Sequence, residues 1–192
     1  DDLIVTLLQN GASIDWVDGQ QFFDASHPVN PWGAFPGTWS NLLTGTALTA
    51  SNFEAARKNL LARKGWNGRA MKLRGELQLW VPTDLEPTAM RIVEQEFSSD
   101  PGVSTAGGNS NINFKKAVVK HMACLNDEPT VWYLALVTPA AKPIGLQVKR
   151  ALRFEDNAGM DSRMVDEIYR QKVSRRVEYV PLNAHLITRC AA

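Results

Sequence analysis

The stretch from Ala12 to Thr46 limits the fold more than any other part of this chain. It holds Pro28, Pro31 and Pro36 together with Gly19, Gly33, Gly37 and Gly45, so neither a long helix nor a continuous strand can cross it. Six large aromatics lie within it: Trp16, Phe22, Phe23, Trp32, Phe35 and Trp39. A solvated linker has no use for such residues. The segment therefore reads as a long loop packed on its own subunit or on a neighbour.

The remaining sequence can supply a core. At 192 residues with 44% apolar content, the chain forms one large domain or two small intertwined ones. Asp1 to Leu8 reads as the last turns of an apolar-faced helix stopped by Asn10-Gly11. So short a helix is marginal alone, and the expectation is a C-terminal fragment or a protein whose preceding half has been lost. Thr49 suits the N-cap of a second helix, with Leu48 and Phe53 as a hydrophobic staple and Gly65 as its stop. Ser51 with Glu54 offers a rival capping box two residues later. Leu77–Val81 alternates like a strand ended by Pro82, and a helix follows to about Phe97 with Pro87 in its first turn. Ser98–Asn113 reads as an exposed, mobile loop.

Two strands are expected at Ala117–Leu125 and Thr130–Val137, joined by Asn126-Asp127-Glu128-Pro129. On the second, Trp132 and Tyr133 must face opposite sides, one toward the core and the other toward a contact. Two long alternating runs, Ile144–Phe154 and Tyr169–Tyr179, flank the polar stretch Glu155–Asp166. Arg150 and Arg175 fall on the otherwise apolar faces of these runs, where a lone charge is costly unless paired. Lys149, Arg150 and Arg153, and later Arg170, Lys172, Arg175 and Arg176, are interleaved with acids and read as solvated faces or ion pairs between subunits.

The chemistry-bearing residues are sparse. His27, His121 and His185 have no zinc-site spacing, and Cys124 and Cys190 are far apart, so the expectation is no metal, no cofactor and two reduced thiols. Neither a G-x-S-x-G elbow nor a phosphate-binding loop is present; Gly107-Gly108-Asn109-Ser110 lacks the Lys-Ser/Thr that a P-loop needs. Asp24 and His27, three apart, offer an acid–base pair. A pair without a nucleophile specifies no reaction, and the favoured reading has Asp24 capping a turn and His27-Pro28 fixing a loop. A net charge of +1 supplies no basic field for holding nucleic acid. No apolar run approaches the about 20 residues of a membrane span, and no signal peptide is evident.

Several stretches, taken in order, carry a resemblance. They are Asp18-Gly19-Gln20-Gln21-Phe22-Phe23-Asp24-Ala25-Ser26-His27-Pro28, Ser40-Asn41-Leu42, Leu48 to Arg57, Leu79-Trp80-Val81-Pro82 and Trp132-Tyr133-Leu134. Together they resemble the major head subunits of Mu-like phages and prophages. That resemblance implies an α+β chain of the tailed-phage major capsid fold, named for phage Hong Kong 97. It implies an axial domain plus elongated peripheral-domain strands, with the N-terminal arm and the extended loop missing from these residues. Residues 1–45 would be the end of the spine helix and an aromatic contact loop, 46–140 the axial domain, and 141–192 the long peripheral strands and a closing segment. The implied function is a non-enzymatic shell subunit that assembles with copies of itself, in pentamers and hexamers, into an icosahedral virion shell in the bacterial host cytoplasm. Scaffold protein and packaged DNA would be indirect partners, with no membrane involved. Candidate inter-subunit contacts are Phe22, Phe23, His27, Trp32, Trp39, Arg150, Arg153, Arg175 and Arg176. The rivals are a small α/β hydrolase using Asp24 and His27, or another phage structural protein of tail or decoration type.

Overall fold

The computed structural model describes residues 2–33, 35–97, 110–156 and 171–192. The chain divides into two compact units, residues 1–144 with 181–192 and residues 145–180. It is α+β, as the resemblance implies, but the boundary expected at 45/46 does not separate the units.

The first unit is built on a five-stranded sheet in the order β3-β9-β6-β4-β5. Its strands are β3 (Leu42–Thr44), β4 (Glu76–Val81), β5 (Val118–His121), β6 (Val131–Val137) and β9 (Ile187–Ala191). β6 runs antiparallel to both β4 and β9, whereas β3 pairs with β9, and β5 with β4, in parallel. Between two neighbours and two covered faces, β6 is buried from Val131 through Leu136. Its near-continuous apolar run is the pattern such a position demands.

The period of two sorts the core into two layers. Leu77, Leu79 and Val81 of β4 and Trp132, Leu134 and Leu136 of β6 face helices α2 (Ala50–Leu61) and α3 (Glu86–Val93). Val131, Tyr133 and Ala135 face the other way, toward Phe22, Phe23, Val29 and Trp39 of the aromatic loop and Leu8 of helix α1 (Asp2–Asn10). The loop thus does a helix's work, covering one face of its own sheet. Two short strands within it, β1 (His27–Pro28) and β2 (Thr38–Trp39), pair antiparallel. Both Trp132 and Tyr133 are fully buried, so neither is a contact residue. The expectation that one of them would lie at a contact is corrected: the loop covers the second face.

Local signals hold where they are strongest. Thr49 caps α2, its side chain accepting from the Asn52 N–H at 3.2 Å, and Pro87 lies in the first turn of α3. The helix ends differ from expectation. α2 ends at Leu61, four residues before Gly65. α3 stops at Val93, not Phe97, because Asn111 donates its side-chain amide to the carbonyls of Ile92 and Gln95, both at 2.8 Å. That pins the far end of the expected mobile loop: Asn111 and Asn113 are buried, and residues 98–109 lie outside the described residues. Ala117–Leu125 is strand only over Val118–His121, then turns into a short 3-10 segment at Ala123–Leu125. Gly75 sits where β4 meets the end of β6; an added Cβ would lie 2.6 Å from the Val137 carbonyl oxygen, so the approach needs glycine.

The second unit is built on β7 (Ile144–Asp156) and β8 (Gln171–Pro181), which pair with each other and whose end residues Ile144 and Pro181 belong to the first unit. These are the two long strands expected from the alternating runs. The polar connection falls, from residue 157 to 170, outside the described residues. On β7, Leu146, Val148 and Leu152 are each about half exposed, so the face lacks a cover within the described residues.

Candidate functional site: a buried His-Trp-Arg knot and an exposed aromatic rim

The aromatic loop is held by polar groups in its interior. Asn41 is the hub: its Oδ1 accepts the Asp24 backbone N–H at 2.8 Å, and its Nδ2 donates to the carbonyls of Phe22 (2.6 Å) and Ala184 (3.4 Å). That fixes which end of the amide faces His27, whose Nε2 lies 3.0 Å from Asn41 Oδ1. Nε2 must then be the donor. His27 Nδ1 faces the Asp18 carboxylate at 2.7 Å. Both ring nitrogens therefore meet oxygen atoms of buried side chains, and the ring is sealed from solvent at 0% exposure.

Trp39 carries the knot across to the C-terminal segment. Its ring stacks on His27 at 4.2 Å and on His185 at 4.1 Å, and Trp16 meets all three edge-on. The guanidinium of Arg63 lies 5.0 Å from the Trp39 ring centre. Arg63 is 2% exposed and donates to the carbonyls of Ser40, Ala184, His185 and Ile187 and to the side chains of Asn59 and Thr188. Burial pushes its pKa down to about 9, which still leaves it charged at neutral pH. Trp39 Nε1, Arg63 Nε and His185 Nε2 make no hydrogen bond within the described residues.

His185 responds to this setting in the opposite sense. Burial first, and then the Arg63 and His27 charges, lower its pKa from 6.5 to about 4, against a smaller opposing effect of Asp18. The folded state holds it neutral, so the unfolded chain binds more protons between about pH 6.5 and 4. Stability is therefore expected to fall as pH drops through that window. Urea titrations at pH 7 and pH 4.5 check it: the wild type should lose on the order of 1–2 kcal/mol more than His185→Phe, which keeps the stacked ring but cannot be protonated.

None of this is an acid–base site. Asp24 does not reach His27; its Oδ1 accepts the Ser26 N–H at 2.6 Å and so caps the turn, as the favoured sequence reading has it. His27's partners are Asp18 and Asn41, and its ring is closed to any substrate. Among the described residues no group of three His, Cys, Asp or Glu is placed to hold a metal, and no helix is long and apolar enough to cross a membrane. Both cysteines are unbridged, and burial pushes the Cys190 thiol up to about 12.

The nine expected contact residues divide accordingly. Phe22, Phe23, His27 and Trp39 are at most 8% exposed, so within this chain their side chains are interior. A loop that must cover a sheet face turns its apolar side chains inward. Trp32 is 65% exposed and packs edge-on against Trp66 at 4.9 Å. Asn30 steadies this pairing by donating to the Trp66 carbonyl at 3.1 Å. Arg150, Arg153 and Arg176 are exposed, so the desolvation argument for a partner carboxylate does not apply to Arg150 in this chain. The side chain of Arg175 lies outside the described residues. Sequence reasoning missed Arg63, Asn41, Asp18 and His185 as members of a site. Asn41 and Asp18 carried a signal only through the motif stretches that contain them, Ser40-Asn41-Leu42 and the segment from Asp18 to Pro28.

A second concavity opens beside the knot. It has a volume of about 570 Å³ and is lined by Trp16, Val17, Trp66, Met71 and Leu182, with Arg69 at the edge and His185 also in its wall.

No curated protein matches the chain. Among solved structures, it is similar to a chain of the bacteriophage JBD30 procapsid at 17% identity and TM-score 0.42, covering all of this chain and 39% of that one. A chain of the bacteriophage JBD30 capsid aligns at 24% identity and TM-score 0.45, covering 66% of this chain and 63% of that one. A capsid chain from an empty GTA particle aligns at 14% identity and TM-score 0.47, covering 95% and 59%. The chain thus spans less than two thirds of the length of each of these capsid chains. Residues 1–47, which form α1 and the whole aromatic loop, match the model of the Mu-like prophage major head subunit gpT, the family that the sequence resembles.

Proposed function

We propose that the chain is part of a structural subunit of a phage head, one that joins copies of itself into an icosahedral shell around DNA. The observation that carries this reading is the match of residues 1–47 to the Mu-like major head subunit. Those residues are not a detachable tag: they pack on one face of the central sheet, together with Leu125 and Ala184. In this reading the five-stranded sheet with α2 and α3 is the axial domain, and β7 with β8 belongs to the elongated peripheral part.

A shell needs heterologous contacts that close into rings of five and six. Leu146, Val148 and Leu152 on β7, with the exposed Arg150, Arg153 and Arg176 on the same strand pair, supply an apolar strand face with charged neighbours. Trp32 supplies an exposed aromatic on the first unit. These take over the contact role from the four interior residues, with Arg175 retained as a candidate by its place on β8. Scaffold protein and packaged DNA would act through the assembled shell, in the virion and, during assembly, in the bacterial cytoplasm.

Sedimentation velocity over a concentration series, followed by electron microscopy, tests the reading. Rings of five and six or closed shells are expected, and a charge placed on the apolar face of β7, as in Val148→Asp, should weaken them. A monomer at every concentration, for both this chain and versions extended at its N-terminus, would reject it.

A further inference from the structure

We propose that the concavity between Trp16 and the 65–71 loop is a docking site for an acidic protein segment that carries an apolar anchor side chain. The inference goes beyond the shell reading, because it concerns a partner segment and not the contacts that close rings.

The walls are apolar and already formed. Trp16, Met71 and Leu182 line a volume of about 570 Å³, within the range of about 300–1,000 Å³ that protein sites use for a compact ligand. Three apolar side chains at this site stay open to water: Val17 at 60%, Leu182 at 53% and Trp66 at 44%. Trp66 is not loose. Trp32 packs on it edge-on, and the Asn30 side chain holds its carbonyl. A pre-set aromatic beside a pocket is the arrangement that concentrates binding energy at interfaces.

The charged side chain of the lining is Arg69, and the chain segment that carries it is basic. Residues 62–74 contain Arg63, Lys64, Arg69, Lys72 and Arg74 and no acid. Arg63 is turned inward to the knot, and the other four are exposed. In a chain of net charge +1, this is a local concentration of positive charge, not a general one. The nearest acids in sequence to Trp16 are Asp15, which is exposed, and Asp18, which is committed to His27. No acid is among the residues that line the cavity. His185 in its wall is neutral at pH 7 and adds no charge of its own.

This pairing of features selects the partner. Duplex DNA presents phosphates on a convex backbone with its bases stacked inside, and has no projecting apolar side chain to fill a concave wall. An acidic peptide offers both parts at once: a Leu or Phe for the cavity and carboxylates for Arg69 and the basic segment around it.

Fluorescence anisotropy with the intact chain tests the site. The probe is a short fluorescein-labelled peptide of Glu, Asp, Leu and Phe; a counterpart with Lys for each acid and a labelled DNA duplex are run beside it. Saturable binding of the acidic peptide is expected with Kd on the order of 10 μM, weakened about ten-fold by Arg69→Glu and again by Leu182→Asp. Both positions are exposed, so thermal melts should confirm that the variants fold. Absence of saturation, equal affinity for the Lys counterpart, tighter binding of the duplex, or indifference to both substitutions would overturn the proposal.

Discussion

Arg63→Ala should cost on the order of 3–5 kcal/mol in a urea titration. Four carbonyls and two side chains share this one guanidinium. Each buried acceptor left without its donor costs about 1–3 kcal/mol, less whatever water can reach. Domains are typically stable by only about 5–15 kcal/mol, so the variant should be marginal at best. Arg63→Lys should recover only part of the loss, since an ammonium cannot span acceptors that a planar fork reaches on several sides. The control is Lys58→Ala on the preceding helix. Lys58 is exposed and pairs with Glu54 at 3.6 Å, a surface contact whose loss should cost no more than about 0.5 kcal/mol. If the two alanine variants shift the urea midpoint equally, the guanidinium is not what holds the loop to the C-terminal segment.

Trp132→Ala should cost about 3–5 kcal/mol, the range for truncating a large buried aromatic. The ring is fully buried beneath α2 and α3, on a strand with partners on both sides. It also carries a directional tie: Nε1 donates to the Thr46 carbonyl at 2.9 Å, fastening the end of the aromatic loop to the sheet. Trp132→Phe separates the two contributions. It keeps most of the volume and loses the tie, so a cost of about 1–2 kcal/mol is expected. Chemical denaturation monitored by far-UV circular dichroism reads both variants, and a Phe variant as unstable as the Ala variant would assign the effect to the hydrogen bond.

What could be read from the sequence follows from how far each signal reaches. Thr49 and Pro87 act within one helical turn, and both were legible. So were the strands around Leu79 and Leu134, whose apolar content exceeds any turn alternative. The knot was not legible, because its members are brought together from distant positions. Arg63 sits among Arg57, Lys58 and Lys64, and nothing local marks which of the four turns inward; its acceptors at Ala184 and His185 lie 121 and 122 residues away. Asp24 is the nearer carboxylate to His27 in sequence, yet Asp18, nine residues before it, makes the contact. The aromatic loop was rightly read as packed, but no periodicity exists in it to say which rings face inward. Strands β3 and β9 were missed for a related reason: Leu42–Thr44 and Ile187–Ala191 are short and gain strand geometry only from their neighbours.

The place of β9 has a consequence for how the protein is made. Ile187–Ala191 lies between β3 and β6, and Thr46 meets Ala191 across 145 positions of sequence. A ribosome that has released β3, β4 and β6 has therefore produced a sheet with a gap in it. Until the later strand emerges, β6 shows an unpaired edge and β3 has no partner. The nascent chain must hold these surfaces through the synthesis of β7 and β8. Closure over such separations is intrinsically slow, and the open intermediate is the species most prone to aggregate. Recovery of soluble protein should thus depend on conditions during translation, such as temperature and chaperone supply, more than the stability of the finished fold would suggest.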